Sequence, residues 1–307
     1  MRGTPTLAAA ALTWAVVLGT SGTPALAADG QPTLTAKAPP SVGMVGQPVE
    51  FDVKVDNAGG PARPKTQLRF DLATASPEDT VFSQQLVLER FDQANKKWQR
   101  ITVTDGADET KHQASMDLPL PASGQVLERM RFGIDNLTAS IQHRIGLYQP
   151  GETKPLASAE SVTKVTTPET ALSGLTKDTT LKPGGPAVEF AVQHTNRTGS
   201  HYPGIASEIT IRFAEKQDIL PAHAKLEWYD AQRGWQPVEW KHYAPVGIFG
   251  TGSTQPLKSG ASVTNKFRLS LTSSAPAPRT LLLEAVAYVL EKRTAFSLVN
   301  HQFKVVR

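Results

Sequence analysis

The sequence predicts an all-β protein built as two tandem β-sandwiches, and three observations carry that expectation. Apolar and polar residues alternate with a period of two, as in Val49, Phe51, Val53 and Val55 against Glu50, Asp52 and Lys54. That is the pattern of a strand with one buried face and one wet face. The second half of the chain repeats the first in order, which points to an internal duplication. Beyond the N-terminal run, no 12-residue segment shows apolar residues at helical spacing, and short apolar runs are separated by Gly, Pro, Asn and Asp.

The chain opens on a different pattern. Arg2 gives a positive start, Leu7 to Leu18 form a 12-residue apolar run, Gly19 to Pro24 break it, and Ala25-Leu26-Ala27 supply small residues at cleavage spacing. Residues 1–28 are therefore expected to be a secretory signal peptide, cut after Ala27 or Ala28. Twelve apolar residues fall short of the about 20 that a membrane-spanning helix needs. The apolar stretch Leu281 to Leu290 is also short and contains Glu284, so it reads as a buried strand. Leu120-Pro121-Ala122-Ser123-Gly124 resembles a wall-anchoring signal but lies mid-chain and reads as a turn. The expected product is secreted, extracellular and not membrane-spanning.

The two copies are expected at residues 29–167 and 168–307, divided where Thr167-Pro168 interrupt the strand pattern. Val49-Glu50-Phe51-Asp52-Val53 is echoed by Val188-Glu189-Phe190-Ala191-Val192, and Asn57 and Gly60 by Asn196 and Gly199 at the same spacing. Next, Leu68-Arg69-Phe70 aligns with Ile211-Arg212-Phe213. Phe91 through Trp98 reads as a hairpin with a polar tip, and Tyr229 through Trp235 is its counterpart, with Gly234 able to take positive φ. Gly124 aligns with Gly260, Phe132 and Ile134 with Phe267 and Leu269, Tyr148 with Tyr288, and Val165 with Val305. Each copy is expected to hold about seven to nine strands.

The segment Gly46-Gln-Pro-Val-Glu-Phe-Asp-Val-Lys-Val-Asp-Asn57-Ala-Gly-Gly60 resembles the opening of immunoglobulin-like repeats in secreted actinobacterial surface proteins, and Gly185 through Gly199 is similar. The resemblance covers the early strands of both copies. It implies two tandem immunoglobulin-like domains of the kind used as spacers or binding modules, and no functional residue is carried over from it. The Cys…Trp…Cys pattern of antibody domains is missing.

Composition narrows the chemistry. The 307 residues include no cysteine, which excludes disulfides, thiol nucleophiles and Cys-ligated metals. There is no Gly-x-Ser-x-Gly elbow and no His-Glu-x-x-His, so no enzyme class and no cofactor is indicated. Seven histidines are scattered; His194 and His201 flank one loop and could share a metal with His223 or His242, but their spacing is that of ordinary surface histidines. Glu78-Asp79 and Asp108-Glu109 invite a glycosidase reading, which would need two carboxyls facing across a cleft. Sequence neighbours on a loop seldom supply that. Asp105, Asp108 and Glu109 could also hold calcium.

Differences between the copies are the best clue to function, because a duplicated fold keeps its core and varies its loops. Residues 29–167 hold 15 Lys/Arg against 17 Asp/Glu, and residues 168–307 hold 16 against 11. The second copy is thus the basic one and the better match to an acidic envelope polymer. No basic stripe with interleaved aromatics points to nucleic acid. After the Trp hairpin the first copy is acidic, whereas the second reads His242-Tyr-Ala-Pro-Val-Gly-Ile-Phe-Gly, an apolar loop. Trp98 and Trp235 occupy matching places and suit packing; Trp228 and Trp240 have no aromatic counterpart and read as cross-strand neighbours on one hairpin. Trp228, Trp240, Ile248 and Phe249 are the candidate binding residues. The expected function is a non-catalytic binding or structural module at the cell surface or in the extracellular matrix. Its partner would be a cell-envelope glycan or another extracellular protein. The alternative is a secreted carbohydrate-active hydrolase or its accessory subunit. Asn136-Leu-Thr138 and Asn196-Arg-Thr198 fit the N-glycosylation pattern but are expected to be unmodified.

Overall fold

The computed structural model describes residues 30–76, 78–106, 110–135, 139–214, 222–243, 246–249 and 254–307, with side chains left aside over 240–249. The expected signal peptide, Asp108, Glu109 and the Asn136 motif lie outside the described residues. In the first half the strands are β1 (Thr33–Ala36), β2 (Ser41–Gly43), β3 (Val49–Asp56), β4 (Gln67–Thr74), β5 (Leu86–Asp92), β6 (Lys97–Arg100), β7 (Val103–Asp105), β8 (Lys111–Asp117), β9 (Gln125–Ile134), β10 (Ser140–Tyr148) and β11 (Ala157–Thr166). The second half holds β12 (Glu169–Ser173), β13 (Thr180–Leu181), β14 (Val188–Thr195), β15 (Tyr202–Phe213), β16 (Ala224–Asp230), β17 (Gly234–Pro237), β18 (Trp240–Tyr243), β19 (Val246–Phe249), β20 (Gln255–Leu257), β21 (Ser262–Leu271), β22 (Arg279–Val289) and β23 (Thr294–Val305). The expectation of seven to nine strands per half was too low, because short edge strands such as β7, β13 and β20 carry little periodicity for a sequence to show.

Each half is two sheets packed over one core. The first half runs β1-β3-β9-β5-β6 over β2-β11-β10-β4-β8-β7; the second runs β12-β14-β21-β16-β17 over β13-β23-β22-β15-β19-β18, with β20 paired to β15. The second half therefore repeats the strand order of the first. In β4 the alternation buries Leu68, Phe70 and Leu72, and these meet Leu88, Met130 and Phe132 from the facing sheet. Burying such side chains contributes roughly 1.5–3 kcal/mol each. β11 ends at Thr166 and β12 begins at Glu169.

Register corrects two of the residue pairings. Phe132 lies opposite Val49 and Leu88, and Leu269 lies opposite Val188 and Leu226. The counterpart of Phe132 is thus Leu269, two residues beyond Phe267. Likewise Ala75 donates its N–H to the Ser140 carbonyl (2.7 Å) as Ala214 does to Thr280 (2.9 Å), which pairs Leu72, not Leu68, with Ile211. Both errors are even-numbered. A slip of two or four residues leaves every side chain on its own face of the sheet, so alternation cannot detect it.

The halves are fused through a polar and apolar joint. Gly43 donates its N–H to Ser200 Oγ (2.8 Å), Gln47 to the His201 carbonyl (2.8 Å), and the fully buried Tyr202 phenol donates to the Met44 carbonyl (3.1 Å). A Cβ at Gly43 would overlap the Tyr202 phenol, and one at Gly199 would overlap the Ser41 carbonyl. Tyr202, Ile205, Leu257, Ala287, Val289 and Phe296 of the second half belong to the same buried apolar cluster as the first-half core. The Tyr202 and Phe296 ring centroids are 5.9 Å apart, and Lys292 pairs with Asp135 across the joint at 3.2 Å.

Candidate functional site

The two hairpins named from the sequence form, and each carries the same side-chain cluster. On β5 and β6, Phe91 lies directly opposite Trp98 and the rings meet edge-on at 5.2 Å. Arg131 from β9 lies over the Trp98 ring at 4.6 Å and pairs with Glu89; Arg129 lies over Phe91 at 4.6 Å and pairs with Glu50 at 2.7 Å. On β16 and β17, Tyr229 lies opposite Trp235 with centroids 5.3 Å apart, Arg268 lies over Trp235 at 4.7 Å, and Arg268 Nε donates to Glu227 Oε2 at 2.7 Å. The Arg268 guanidinium holds the Glu227 carboxyl below the usual carboxylate range. Gly234 takes a φ of 72° at the tip of the second hairpin, as expected, while Lys96 takes 53° in the first. The packing role expected for Trp98 and Trp235 fits this geometry. Each ring is half-buried beneath a guanidinium that is itself held by a carboxylate.

The register places Trp228 and Trp240, two of the four candidate binding residues, in different sheets. Trp228 faces Gln236 and Phe267 across its neighbouring strands, continues the inward row of Ala224 and Leu226, and packs half-buried against the second-half core. Trp240 belongs to the opposite sheet, where it lies opposite Phe249; Phe249 in turn lies opposite Ile209, and Ile248 lies between Lys241 and Thr210. Trp228 and Trp240 are therefore not cross-strand neighbours. The chain crosses from one sheet to the other at Val238, whose N–H donates to the Leu226 carbonyl (3.0 Å), just as Ile101 donates to Leu88 (2.9 Å) in the first half. That sheet change between two tryptophans leaves no mark in a periodicity. The apolar loop forms the β18–β19 hairpin, and its tip at Ala244 and Pro245 lies outside the described residues.

Three histidines are in the cores and not at the surface. His143 on β10 is buried, packs edge-on against Phe132 with centroids 4.6 Å apart, and shares a hydrogen bond with Thr163 Oγ1 (2.9 Å). His194 on β14 is buried between Thr170 Oγ1 (3.0 Å) and Ser207 Oγ (2.8 Å); Asn265 also donates to Ser207 (2.9 Å). Burial lowers the pKa of both imidazoles to about 4. His112 is buried with Nδ1 3.2 Å from Asp105 Oδ1. Among the described residues, no three His, Asp or Glu side chains converge as metal ligands would. Asp105 accepts from the Ser83 N–H (3.2 Å), and Glu78 is exposed on its turn. Asn196 is fully buried, with its amide donating to the Ser200 (2.8 Å) and Leu257 (3.3 Å) carbonyls, so its glycosylation pattern is a structural motif here. Asn57 does the same toward Pro61 and Pro121 in the first half.

No protein-family model matches the sequence, and no curated protein sequence matches it either. Among solved structures, the chain is similar to the C-terminal domain of the Streptococcus pyogenes antigen I/II-family protein AspA. The identity is 10% and the TM-score 0.38, over 91% of this chain and 100% of that one. It is also similar to a partial N-terminal region of an enterococcal surface protein, at 8% identity and TM-score 0.31, over 93% of this chain and 97% of that one. AvmM, which catalyses macrocyclization in alchivemycin A biosynthesis, aligns with 46% of this chain and 89% of its own length at 18% identity and TM-score 0.39. Overlaps this loose carry nothing further for the present chain.

Proposed function

We propose that the chain is a secreted, non-catalytic binding or structural module of two tandem immunoglobulin-like domains, residues 29–167 and 168–307, acting at the cell surface or in the extracellular matrix. The joint is the observation that supports this reading. Backbone N–H groups of Gly43 and Gln47, the Tyr202 phenol and the shared apolar cluster lock one sandwich against the other. A locked pair presents loops and sheet edges of both halves in a fixed relation, which is what a display or spacer unit requires. The partner-contacting region is the β18–β19 hairpin, with Trp240, Ile248 and Phe249. Its partner is an envelope glycan or another extracellular protein.

Retention of residues 29–307 on an envelope preparation tests this. The Trp240→Ala/Ile248→Ser variant is expected to be retained about tenfold less, a difference of ~1.4 kcal/mol, with an unchanged far-ultraviolet circular dichroism spectrum. Equal retention of the variant would reject the hairpin as the contact. No retention of the parent chain would leave the spacer role alone.

A further inference from the structure

The outer face of the β2-β11-β10-β4-β8-β7 sheet is hollowed into a trough. Along β4, Leu68, Phe70 and Leu72 point into the core while Arg69 and Asp71 point out. Gln113 and Ser115 on β8 point out in the same way, as do Gln142 and Arg144 on β10. Register sets them side by side: Arg69 lies opposite Ser115, and Asp71 lies between Gln113 and Arg144. Two cavities, of about 700 and 750 Å³, share Asp71 and Gln113 as wall residues and so adjoin across β10, β4 and β8. Each alone is the size of a small-ligand site, about 300–1,000 Å³, and the two end to end suit an elongated ligand.

The trough is cationic. Arg69, Arg90, Arg100, Lys111 and Arg144 line it, against the carboxylates of Asp71 and Glu160. Arg69 lies over the Tyr148 ring at 4.4 Å and donates to the Glu152 carbonyl at 3.4 Å; Arg100 donates to the Leu86 carbonyl at 2.6 Å. Among the described residues, neither is paired with a carboxylate. Arg144 and Glu160 meet at 3.7 Å, both exposed. Much of the remaining lining consists of neutral amides and hydroxyls, including Gln67, Gln99, Thr102 and Thr104. β4 is paired on both sides, with β10 and β8, so its backbone is taken up within the sheet and recognition falls to side chains. The second half reverses two of these charges. With Leu72 matched to Ile211, Arg69 corresponds to Glu208 and Arg144 to Glu284. The positive sheet face thus lies on the half in which Asp and Glu outnumber Lys and Arg.

We propose that this trough binds an acidic polysaccharide, a chain of sugar rings that carry carboxylates. Planar guanidiniums take carboxylates through paired hydrogen bonds, and the amides and hydroxyls between them match the ring hydroxyls. The length across both cavities accommodates more than one ring. The site lies on the other half from the β18–β19 hairpin and stands whether or not that hairpin binds anything.

Isothermal titration calorimetry of the full chain with a galacturonate hexamer tests it. The hexamer is expected to bind. Its methyl ester keeps every ring but removes the charge, and should bind at least about tenfold more weakly. An oligoglutamate of equal charge lacks the hydroxyls and should weaken by a similar factor. So should the Arg69→Glu/Arg144→Glu variant, which installs the second-half residues, whereas Trp240→Ala/Ile248→Ser should bind as the parent does. The ester and peptide comparisons leave the protein unaltered, so they hold even if a variant fails to fold. Failure of the hexamer to bind overturns the proposal. Equal binding of the ester or of the oligoglutamate would also overturn it, because the site would then not read charge and hydroxyls together. Unchanged binding by the folded arginine variant, or weaker binding by the hairpin variant, would place the contact elsewhere and overturn it as well.

Discussion

Two buried histidines couple stability to pH between about 6.5 and 4. His143 and His194 sit among hydroxyls and apolar groups, and burial holds their pKa at about 4 against an ordinary 6.5. Between those values the unfolded chain binds more protons than the folded one. Their contribution is therefore complete above about pH 6.5 and is lost as pH falls toward 4. Each is worth on the order of 3 kcal/mol at most, from about 1.4 kcal/mol per pKa unit. Urea midpoints measured from pH 7 to pH 4 should fall steeply, and a His143→Gln/His194→Gln variant should flatten the slope. An unchanged slope would mean that other groups control acid unfolding. Gly43 is as constrained, by space and not by charge. Gly43→Ala pushes a methyl group into the Tyr202 phenol and is expected to cost about 1–3 kcal/mol, read as a lower Tm. Tyr202→Phe should cost less, about 1 kcal/mol, since it removes one hydrogen bond and no volume.

At the level of strands and hairpins, the sequence was most legible where alternation was strict. Val49–Asp56 and Val188–Thr195 are strands with the faces that alternation assigns, and both tryptophan hairpins close where their polar tips predict. Pairing between copies was read less well. Phe132 aligns by eye with Phe267 yet sits in the place of Leu269, because a two-residue slip keeps the buried face buried. The Trp–Arg–Glu clusters were invisible for a related reason. Arg131 and Glu89 are far apart in the chain and meet only through the pairing of β5 with β9. Trp98→Ala removes an aromatic pair and a cation–π contact together and is expected to cost about 2 kcal/mol; Trp235→Ala should cost a similar amount. A double-mutant cycle of Trp98 with Arg131 would isolate the coupling, and near-zero coupling would assign the loss to buried area alone.

For the whole molecule, the joint makes the two sandwiches one thermodynamic unit. Tyr202, Phe296 and Leu257 complete the core cluster of the first half, so a second half produced alone would expose them to water. Residues 168–307 expressed separately should melt below the corresponding transition of the full chain, and calorimetry of residues 29–307 should show one coupled transition. Two independent transitions at the isolated temperatures would mean that the joint adds nothing. The class of fold was legible in the sequence, because it follows from local alternation and turn residues that act within a few positions. Tertiary structure alone decided what the repeated pieces became. Asn57 and Asn196 anchor the same loop, yet Gly60 packs against its own Asn57, whereas Gly199 makes room for Ser41 of the other half. Likewise, one inward position became Arg90, which lines a groove, and Trp228, which packs against a core. Contacts between residues more than a hundred positions apart carry no periodic signature, so their roles appear only when the sheets are assembled.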